Sequence, residues 1–407
     1  MLIAKRLSSA FILATVCCLL NSLIAAQGVG ETGKKPQEFG ATLKRFQRNT
    51  SAVTDKSQSA EPLKESDGVV SMNTLLTLLD VTVTDASGSR FITGLKKEDF
   101  LVLEDGKVQE IDTLTMGEGT GKMPRSIVLI IDWSGSLLPY LDESVTAAKN
   151  LVDQLAPSDE MAIVTDDVKL AAGFTGDKKL LKSTLDGLRE SARRGWRGKS
   201  LQFSALFATL TDLIDVEKKR PVIIFQTDGD EAQNLQDPPR APSTAPGIYY
   251  LSDIHAQVQK SRVKIYTLIP GEKLLGSSQS ELLEKGRRLI KGYGNAYQEY
   301  SKPYERDIGK RHVPDEVVLL IAEGHVRGQE AVSRVAALAG GWTSFFETPE
   351  QVRQVYRRIL SDMNHQYLIS YYPTNRERDG KLRKVRVEVR NHPEYIVQGR
   401  ESYYALP

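Results

Sequence analysis

The sequence predicts an α/β fold: a doubly wound, mainly parallel sheet flanked by helices, with a β-rich accessory module formed by the N- and C-terminal flanks. Three observations support this prediction. Continuous apolar runs, such as 126–132 and 221–227, are typical of strands buried on both faces. Segments with apolar residues at helical spacing alternate with these runs. Both flanks show β patterns instead, and neither flank is long enough to form a stable sheet alone.

The first 26 residues have the pattern of a secretory signal peptide. Lys5 and Arg6 precede an apolar run at 11–20, and two alanines close the segment. The run is shorter than the roughly 20 apolar residues of a transmembrane helix. We therefore expect an exported protein that is periplasmic, in the cell envelope or extracellular, with no transmembrane span in the mature chain. An uncleaved amphipathic anchor is the alternative.

Cleavage after this segment would change the cysteine content and the net charge. Cys17 and Cys18 are the two cysteines, so the mature chain would have no disulfide despite an oxidising destination. Removing Lys5 and Arg6 from the 54 basic residues leaves 52, which equals the 52 acidic ones. A net charge near zero gives no general electrostatic reason to expect nucleic-acid binding.

The elements follow in order along the chain. Residues 27–68 are polar and predict a flexible spacer. Residues 69–120 predict an N-terminal β-rich segment, with Leu79, Val81 and Val83 alternating and a hairpin turn at 104–106. The main domain is predicted at 125–365, with an insertion at about 271–328. A C-terminal β-rich segment is predicted at 366–407.

The main domain contains the alternating elements that predict a parallel sheet. Its strands are predicted at 126–132, 160–166, 221–230 and 263–270. Its helices are predicted at 141–157, 177–191, 203–220 and 349–365, and the segment 330–348 resumes the alternation after the insertion. Tyr293, Tyr297, Tyr300 and Tyr304 in the insertion predict a contact surface or a self-packed loop.

Oxygen-bearing side chains follow two of the predicted strands. Asp132, Ser134 and Ser136 come after the first strand, and Asp228 ends a later one. Ser200 lies in the intervening loop, ahead of a helix. In open α/β sheets ligands bind beyond the carboxyl ends of the strands, and such oxygens suit a hard divalent cation. Taken singly, each residue has a simpler interpretation as a helix cap or a turn.

The segment Asp132-Trp133-Ser134-Gly135-Ser136, with Ser200 and Asp228, resembles the metal-ion-dependent adhesion site (MIDAS) of von Willebrand factor type A (VWFA) domains. The flanks, at 80–111 and 366–405, resemble the exported VWFA-related proteins described from acidobacteria. This resemblance covers nearly all of 70–407 except the insertion. The family's third-loop donor is usually threonine, and here Ser200 aligns with it. Ser204 is the nearby alternative.

The resemblance implies a metal-dependent protein-binding or adhesion module. Ser134, Ser136 and Ser200 would bind the ion through hydroxyls, and Asp132 and Asp228 would act largely through water. The ion would be Mg²⁺, with Mn²⁺ or Ca²⁺ as alternatives, and it would attract an acidic group, a carboxylate, of a protein ligand. Asp230 and Glu231 would support the ligands by hydrogen bonds or form a solvated acidic loop.

Other functions are less well supported by the sequence. The five histidines show no zinc-binding spacing, and no GxSxG, phosphate-binding or dinucleotide motif is present. We therefore expect no enzymatic activity. The rival functions are a structural cell-envelope assembly protein with a degenerate metal site and a metal-dependent hydrolase. The basic segment 193–199 predicts either a rim that selects partners or a solvated loop.

Overall fold

A computed structural model of the protein describes residues 38–43, 76–116, 124–194, 200–214, 219–235, 249–300 and 313–406. For residues 233–234 and 292–300, which include three of the four insertion tyrosines, it describes the backbone alone. The predicted signal peptide, most of the spacer, Tyr304 and residues 195–199 of the basic segment also lie outside the described residues. Among the described helices, none is long and apolar enough to cross a bilayer.

The elements are numbered here in chain order. The strands are β1 (Thr77–Thr84), β2 (Phe100–Glu104), β3 (Lys107–Gln109), β4 (Ile111–Met116), β5 (Arg125–Ile131), β6 (Glu160–Thr165), β7 (Lys169–Thr175), β8 (Arg220–Gln226), β9 (Lys264–Pro270), β10 (Thr343–Phe346), β11 (Tyr367–Tyr371), β12 (Leu382–Val389), β13 (Ile396–Gln398) and β14 (Ser402–Tyr404). The helices are α1 (Leu138–Asp153), α2 (Lys178–Arg193), α3 (Gln202–Ala208), α4 (Leu251–Lys260), α5 (Gln279–Tyr300), α6 (Asp315–Leu338) and α7 (Val352–Asn364).

The central sheet has the order β10-β9-β8-β5-β6-β7, parallel except for the antiparallel edge strand β7. Alternate residues of β5 enter two separate cores. Ile127 and Leu129 pack with α1, α2 and α7, whereas Val128 and Ile130 pack with α3, α4 and α6. Helices therefore cover both faces, which explains the continuous apolar run of β5. The prediction of a doubly wound, mainly parallel α/β sheet is confirmed.

Two further antiparallel sheets form the accessory module. Their orders are β13-β1-β11-β4 and β14-β12-β2-β3. In the first, β1 pairs with β11 and β13, and in the second β2 pairs with β12. Leu79, Phe100 and Tyr371 are buried in their shared core. Strands from both flanks therefore complete each sheet, as the sequence predicts.

The predicted insertion differs from the structure at its end. Helix α6 runs without interruption through residue 328, where the sequence predicts a boundary. Its first half packs on α5, with Gly286 of α5 close to Val318 and Ala322. Its second half buries Val332 against the central sheet. The added segment is therefore a helical pair whose second member continues into the core of the domain.

A short part of the predicted spacer contacts the folded domain. Leu43 is buried in the core on the α3 side of the sheet, and Phe39 packs against the same core. Thr42 hydrogen-bonds to the carboxylate of Asp212, in the turn that follows α3. Residues 39–43 are therefore anchored to the domain. Residues 38–43 are the only part of 27–68 that the structure describes.

Candidate metal centre

The loops after β5 and β8 lie at the same edge of the central sheet because these strands are parallel neighbours. Asp132 immediately follows β5, and its amide donates to the carbonyl of Gln226 in β8 over 3.0 Å. A single helical turn, Gly135–Leu137, then leads into α1. Gly229 has φ 76° and turns the chain after Asp228. The two loops thus present Asp132 and Asp228 next to each other.

Four of the five predicted site residues form one hydrogen-bonded cluster. The Ser134 amide donates to Asp132 Oδ1 over 2.9 Å. The hydroxyl oxygens of Ser134 and Ser136 are 3.2 Å apart, and Ser136 donates to Asp228 Oδ2 over 2.7 Å. Asp132, Ser134 and Asp228 are buried, and Ser136 is partly exposed. The cluster therefore presents carboxylate and hydroxyl oxygens together, with Ser136 closest to solvent.

The fifth predicted residue, Ser200, lies at the rim of this cluster. Its hydroxyl donates to the carboxyl of Asp230. The alternative, Ser204, is buried in α3, and its hydroxyl donates to Glu231 Oε1 over 2.5 Å. Of the two serines, Ser200 therefore bonds to Asp230 and Ser204 bonds to Glu231.

Asp230 and Glu231 are both structural parts of the site. Glu231 is buried, and its Oε2 accepts the amides of Phe203 and Ser204 over 2.6 and 3.1 Å. It therefore fixes the start of α3. Burial raises the pKa of Glu231 to about 7, although the bonds from Ser204 and Phe203 lower it. The interpretation of this loop as simply solvated does not hold for Glu231.

Gln202 is a central residue of the site that the sequence analysis missed. Its amide nitrogen donates to Asp132 Oδ2 over 2.9 Å and to Asp230 Oδ1 over 2.6 Å. Its amide oxygen accepts from the Glu231 amide over 3.3 Å. The side chain is fully buried. One glutamine therefore joins the loops after β5 and β8, and no motif in the sequence marks it.

Asp166 is a second missed residue, and it follows β6. Its Oδ1 accepts from the Trp133 amide over 3.5 Å, and its Oδ2 is buried without a hydrogen-bond partner among the described residues. Burial and the neighbouring Asp132 raise the pKa of Asp166 to about 10. The strand-end position that identified Asp132 would also have identified Asp166, since the apolar run 160–165 ends there.

The acidic groups at this edge repel one another. Burial, together with Asp132 and Asp230, raises the pKa of Asp228 well above its usual range. Burial also raises the pKa of Asp230, where Gln202 opposes the shift and Asp132 adds to it. A cation would relieve this repulsion. It would also offset the burial of Asp166 Oδ2, which has no hydrogen-bond partner among the described residues. The residues present therefore fit a hard divalent ion.

The serine hydroxyls are essential to that fit. Within the part of the chain that the structure describes, no group of three or more His, Cys, Asp or Glu side chains is placed to hold a metal by itself. Any ion bound here would depend on neutral hydroxyl ligands as well as carboxylates. Such a donor set matches the oxygen preference of Mg²⁺, Mn²⁺ and Ca²⁺.

A groove of about 430 Å³ adjoins the cluster. Ser136 and Asp228 lie on its wall, together with Tyr140 of α1. Lys285 and Leu289 of α5 line the same groove, so the helical pair formed by α5 and α6 borders the approach to the site. A partner could therefore reach Ser136 and Asp228 through this groove.

Comparisons with known proteins found weak similarities. No protein-family model matches the chain, and no curated protein matches it. Similar solved structures include the conserved hypothetical protein BatB from Bacteroides thetaiotaomicron, at 15% identity and TM-score 0.36, covering 59% of this chain and 98% of that one.

Two further structures are similar to a comparable extent. One is the vWF domain of the type V pili tip protein Mfa5 from Porphyromonas gingivalis, at 12% identity and TM-score 0.35, covering 60% of this chain and 95% of that one. The other is proximal thread matrix protein 1 from the mussel byssus, with a zinc-occupied MIDAS motif, at 11% identity and TM-score 0.34, covering 59% and 48%. The fold assignment rests on the strand order and the two cores described above.

Proposed function

We propose that this chain is an exported VWFA-type protein that binds a divalent cation, Mg²⁺ in the first place, and thereby captures an acidic group of a protein partner. The observation that carries the proposal is the bond from Ser136 to Asp228 Oδ2, with Ser134 Oγ 3.2 Å from Ser136 Oγ. This cluster joins the two loops that follow neighbouring parallel strands. The role proposed is binding and not catalysis.

Each residue of the site has a role in this proposal. The hydroxyls of Ser134, Ser136 and Ser200 would hold the ion, and the carboxylates of Asp132 and Asp228 would balance its charge. A cation held mainly by neutral hydroxyls retains charge with which it attracts a carboxylate. Gln202 keeps Asp132 and Asp230 in place, since its amide donates to both.

Calorimetric titration with Mg²⁺ and Mn²⁺ tests the proposal. After treatment with EDTA and its removal, the wild-type protein is expected to bind one ion saturably, and Asp132→Ala is expected to lose this binding. Asp142→Ala is the matched control, since Asp142 is an exposed aspartate in α1 that pairs with Arg193. Circular dichroism establishes that both variants are folded.

The outcomes separate the rival functions. No metal binding by the folded wild-type protein would overturn the proposal and favour a structural assembly protein with a degenerate site. Metal binding together with turnover of ester or phosphate substrates, abolished by Asp132→Ala, would favour a hydrolase. Metal binding without turnover, combined with EDTA-sensitive capture of a protein from the native cell envelope, is the result that the proposal expects.

Replacing Gln202 by leucine is expected to weaken Mn²⁺ binding by about 10- to 100-fold, the usual cost of losing a residue that orients metal ligands. Leucine keeps most of the buried volume but removes both bonds to Asp132 and Asp230. Calorimetry provides the measurement, and Gln154→Leu, at an exposed position after α1, is the control. Unchanged affinity in Gln202→Leu would show that Gln202 does not orient the site.

A further inference from the structure

A second cleft, of about 190 Å³, lies at the amino ends of the parallel strands, whereas the metal centre lies at their carboxyl ends. The cleft opens where the amino end of β9 meets the accessory module. Lys260, Arg262 and Lys264 line it from the α/β domain, and Arg378 and Arg400 line it from the accessory module. The two parts of the protein therefore contribute cationic side chains to one small space.

The charges of this cleft do not balance. Asp80 and Glu377 are the carboxylates among the lining residues. Asp80 forms an ion pair with Arg220, and Lys264 forms one with Asp362 over 3.4 Å. The remaining lining cations are Lys260, Arg262, Arg378 and Arg400, against a single carboxylate. Among the described residues, none of these four cations has an ion pair with a carboxylate.

Arg400 shows the charge imbalance of the cleft most clearly. Its guanidinium donates to two backbone carbonyls, those of Gln259 and Val263, each over 3.2 Å. Burial lowers the pKa of Arg400 to about 10; Asp80 opposes this shift, and the positive charge of Arg262 adds to it. A guanidinium held mostly out of water with only neutral acceptors is costly, and a bound anion would offset that cost.

The other cations stand around Arg400 at the mouth of the cleft. Lys260, Arg262 and Arg378 are exposed. The Lys260 ammonium lies 5.9 Å from the centre of the Tyr404 ring, which places its charge at the rim. The cleft thus combines a sheltered guanidinium at its wall with three solvent-facing cations. This arrangement suits a compact, multiply charged oxyanion better than it suits an extended anionic surface.

We propose that this cleft binds a phosphate group, either as free phosphate or as the phosphate ester of a larger molecule. Guanidinium groups present several N–H donors that match the oxygens of phosphate, and Arg262 and Arg400 bring such groups to the two sides of the cleft. The site is separate from the metal centre and does not depend on it. Phosphate bound here would link the α/β domain to the accessory module.

Titration of the whole mature chain with inorganic phosphate tests this proposal. The measurement is calorimetry in EDTA, at constant ionic strength maintained with chloride. The wild-type protein is expected to bind phosphate saturably, and Arg262→Gln is expected to weaken the affinity at least 10-fold. Arg262 is exposed, so this variant should fold normally, whereas Arg400→Gln removes a more sheltered group and serves as a second variant.

The controls identify the source of any binding. Arg386→Gln is matched, since Arg386 is an exposed arginine on β12 outside the cleft, and it is expected to bind phosphate like the wild type. Tighter binding of glycerol 3-phosphate than of phosphate would identify an ester as the ligand, and the reverse would identify the free ion. Asp132→Ala should retain phosphate binding whether or not the metal proposal holds. No saturable binding, or equal losses in Arg262→Gln and Arg386→Gln, would overturn the proposal.

Discussion

Gly341→Ala is expected to destabilise the protein by at least about 4 kcal/mol, which places it among the exceptional single substitutions. Gly341 lies between the end of α6 and β10, where the chain runs beside β9, the sheet neighbour of β10. A Cβ atom at this position would be 1.8 Å from the carbonyl oxygen of Ile265 and 2.7 Å from its carbonyl carbon. Both atoms belong to the backbone of a central strand, so no side-chain rotation can relieve the overlap.

Gly187→Ala is the matched control for this prediction. Gly187 lies within α2, and no neighbouring atom would be within 4 Å of an added Cβ. Alanine there is expected to stabilise the protein by about 0.5–1 kcal/mol, because glycine loses more conformational freedom in a helix. Urea unfolding followed by circular dichroism measures both changes. A Gly341→Ala protein with the wild-type midpoint would show that β9 and β10 can separate at little cost.

Asp362→Ala is expected to lower the free energy of unfolding by about 3–5 kcal/mol, the usual loss when one partner of a buried ion pair is removed. Asp362, in α7, accepts from the Lys264 ammonium over 3.4 Å and from Trp342 Nε1 over 2.6 Å. Thr82, in β1, donates to the same carboxylate. The substitution would leave Lys264, whose side chain is 4% exposed, charged without a carboxylate partner.

Two comparisons make this prediction specific. Removing the exposed partner Glu388 of Arg386 should cost at most about 1 kcal/mol. The double variant Lys264→Met, Asp362→Leu should recover much of the loss, since apolar residues can replace a buried pair. Equal losses from Asp362→Ala and Glu388→Ala in urea unfolding would contradict the prediction.

The cost of Asp362→Ala should also depend on pH. Burial would raise the pKa of Asp362, but Lys264, Thr82 and Trp342 together hold it below its ordinary value. A carboxyl whose pKa is lower in the folded state contributes stability above its unfolded pKa of about 4 and loses it as the pH falls through the folded pKa. The difference in free energy of unfolding between wild type and Asp362→Ala should therefore have its full value at pH 7 and be smaller at pH 3.

The elements that the sequence predicts well are those with an unambiguous pattern. The apolar run at 126–132 predicts a strand buried on both faces, and β5 packs against a different core on each side. The positions of Asp132 and Asp228 at one sheet edge followed from this, because carboxyl ends of parallel neighbours meet. The pairing of the two flanks was predictable for a similar reason, since each flank had too few strands to be stable alone.

The residues that escaped prediction are fixed by tertiary contact. Gln202 is important because it meets Asp132, Asp230 and the Glu231 amide at once, and its three neighbours come from two distant loops. The end of the insertion, predicted at about residue 328, falls inside helix α6. Gly328 is needed there, since a Cβ would lie 2.9 Å from the carbonyl oxygen of Asp228. Gly328 is therefore required by its contact with the loop after β8, which the sequence pattern of α6 does not show.

The pairing of β1 with β11 determines the order in which the protein can fold. These two strands are separated by the whole α/β domain, so β1 has no β11 to join until nearly the entire chain is available. The central sheet needs only residues within that domain, and contacts closer in sequence close with less loss of entropy. The α/β domain should therefore form first and bring the flanks together. Until then β1 has unpaired backbone groups, to which a strand of another molecule can bind.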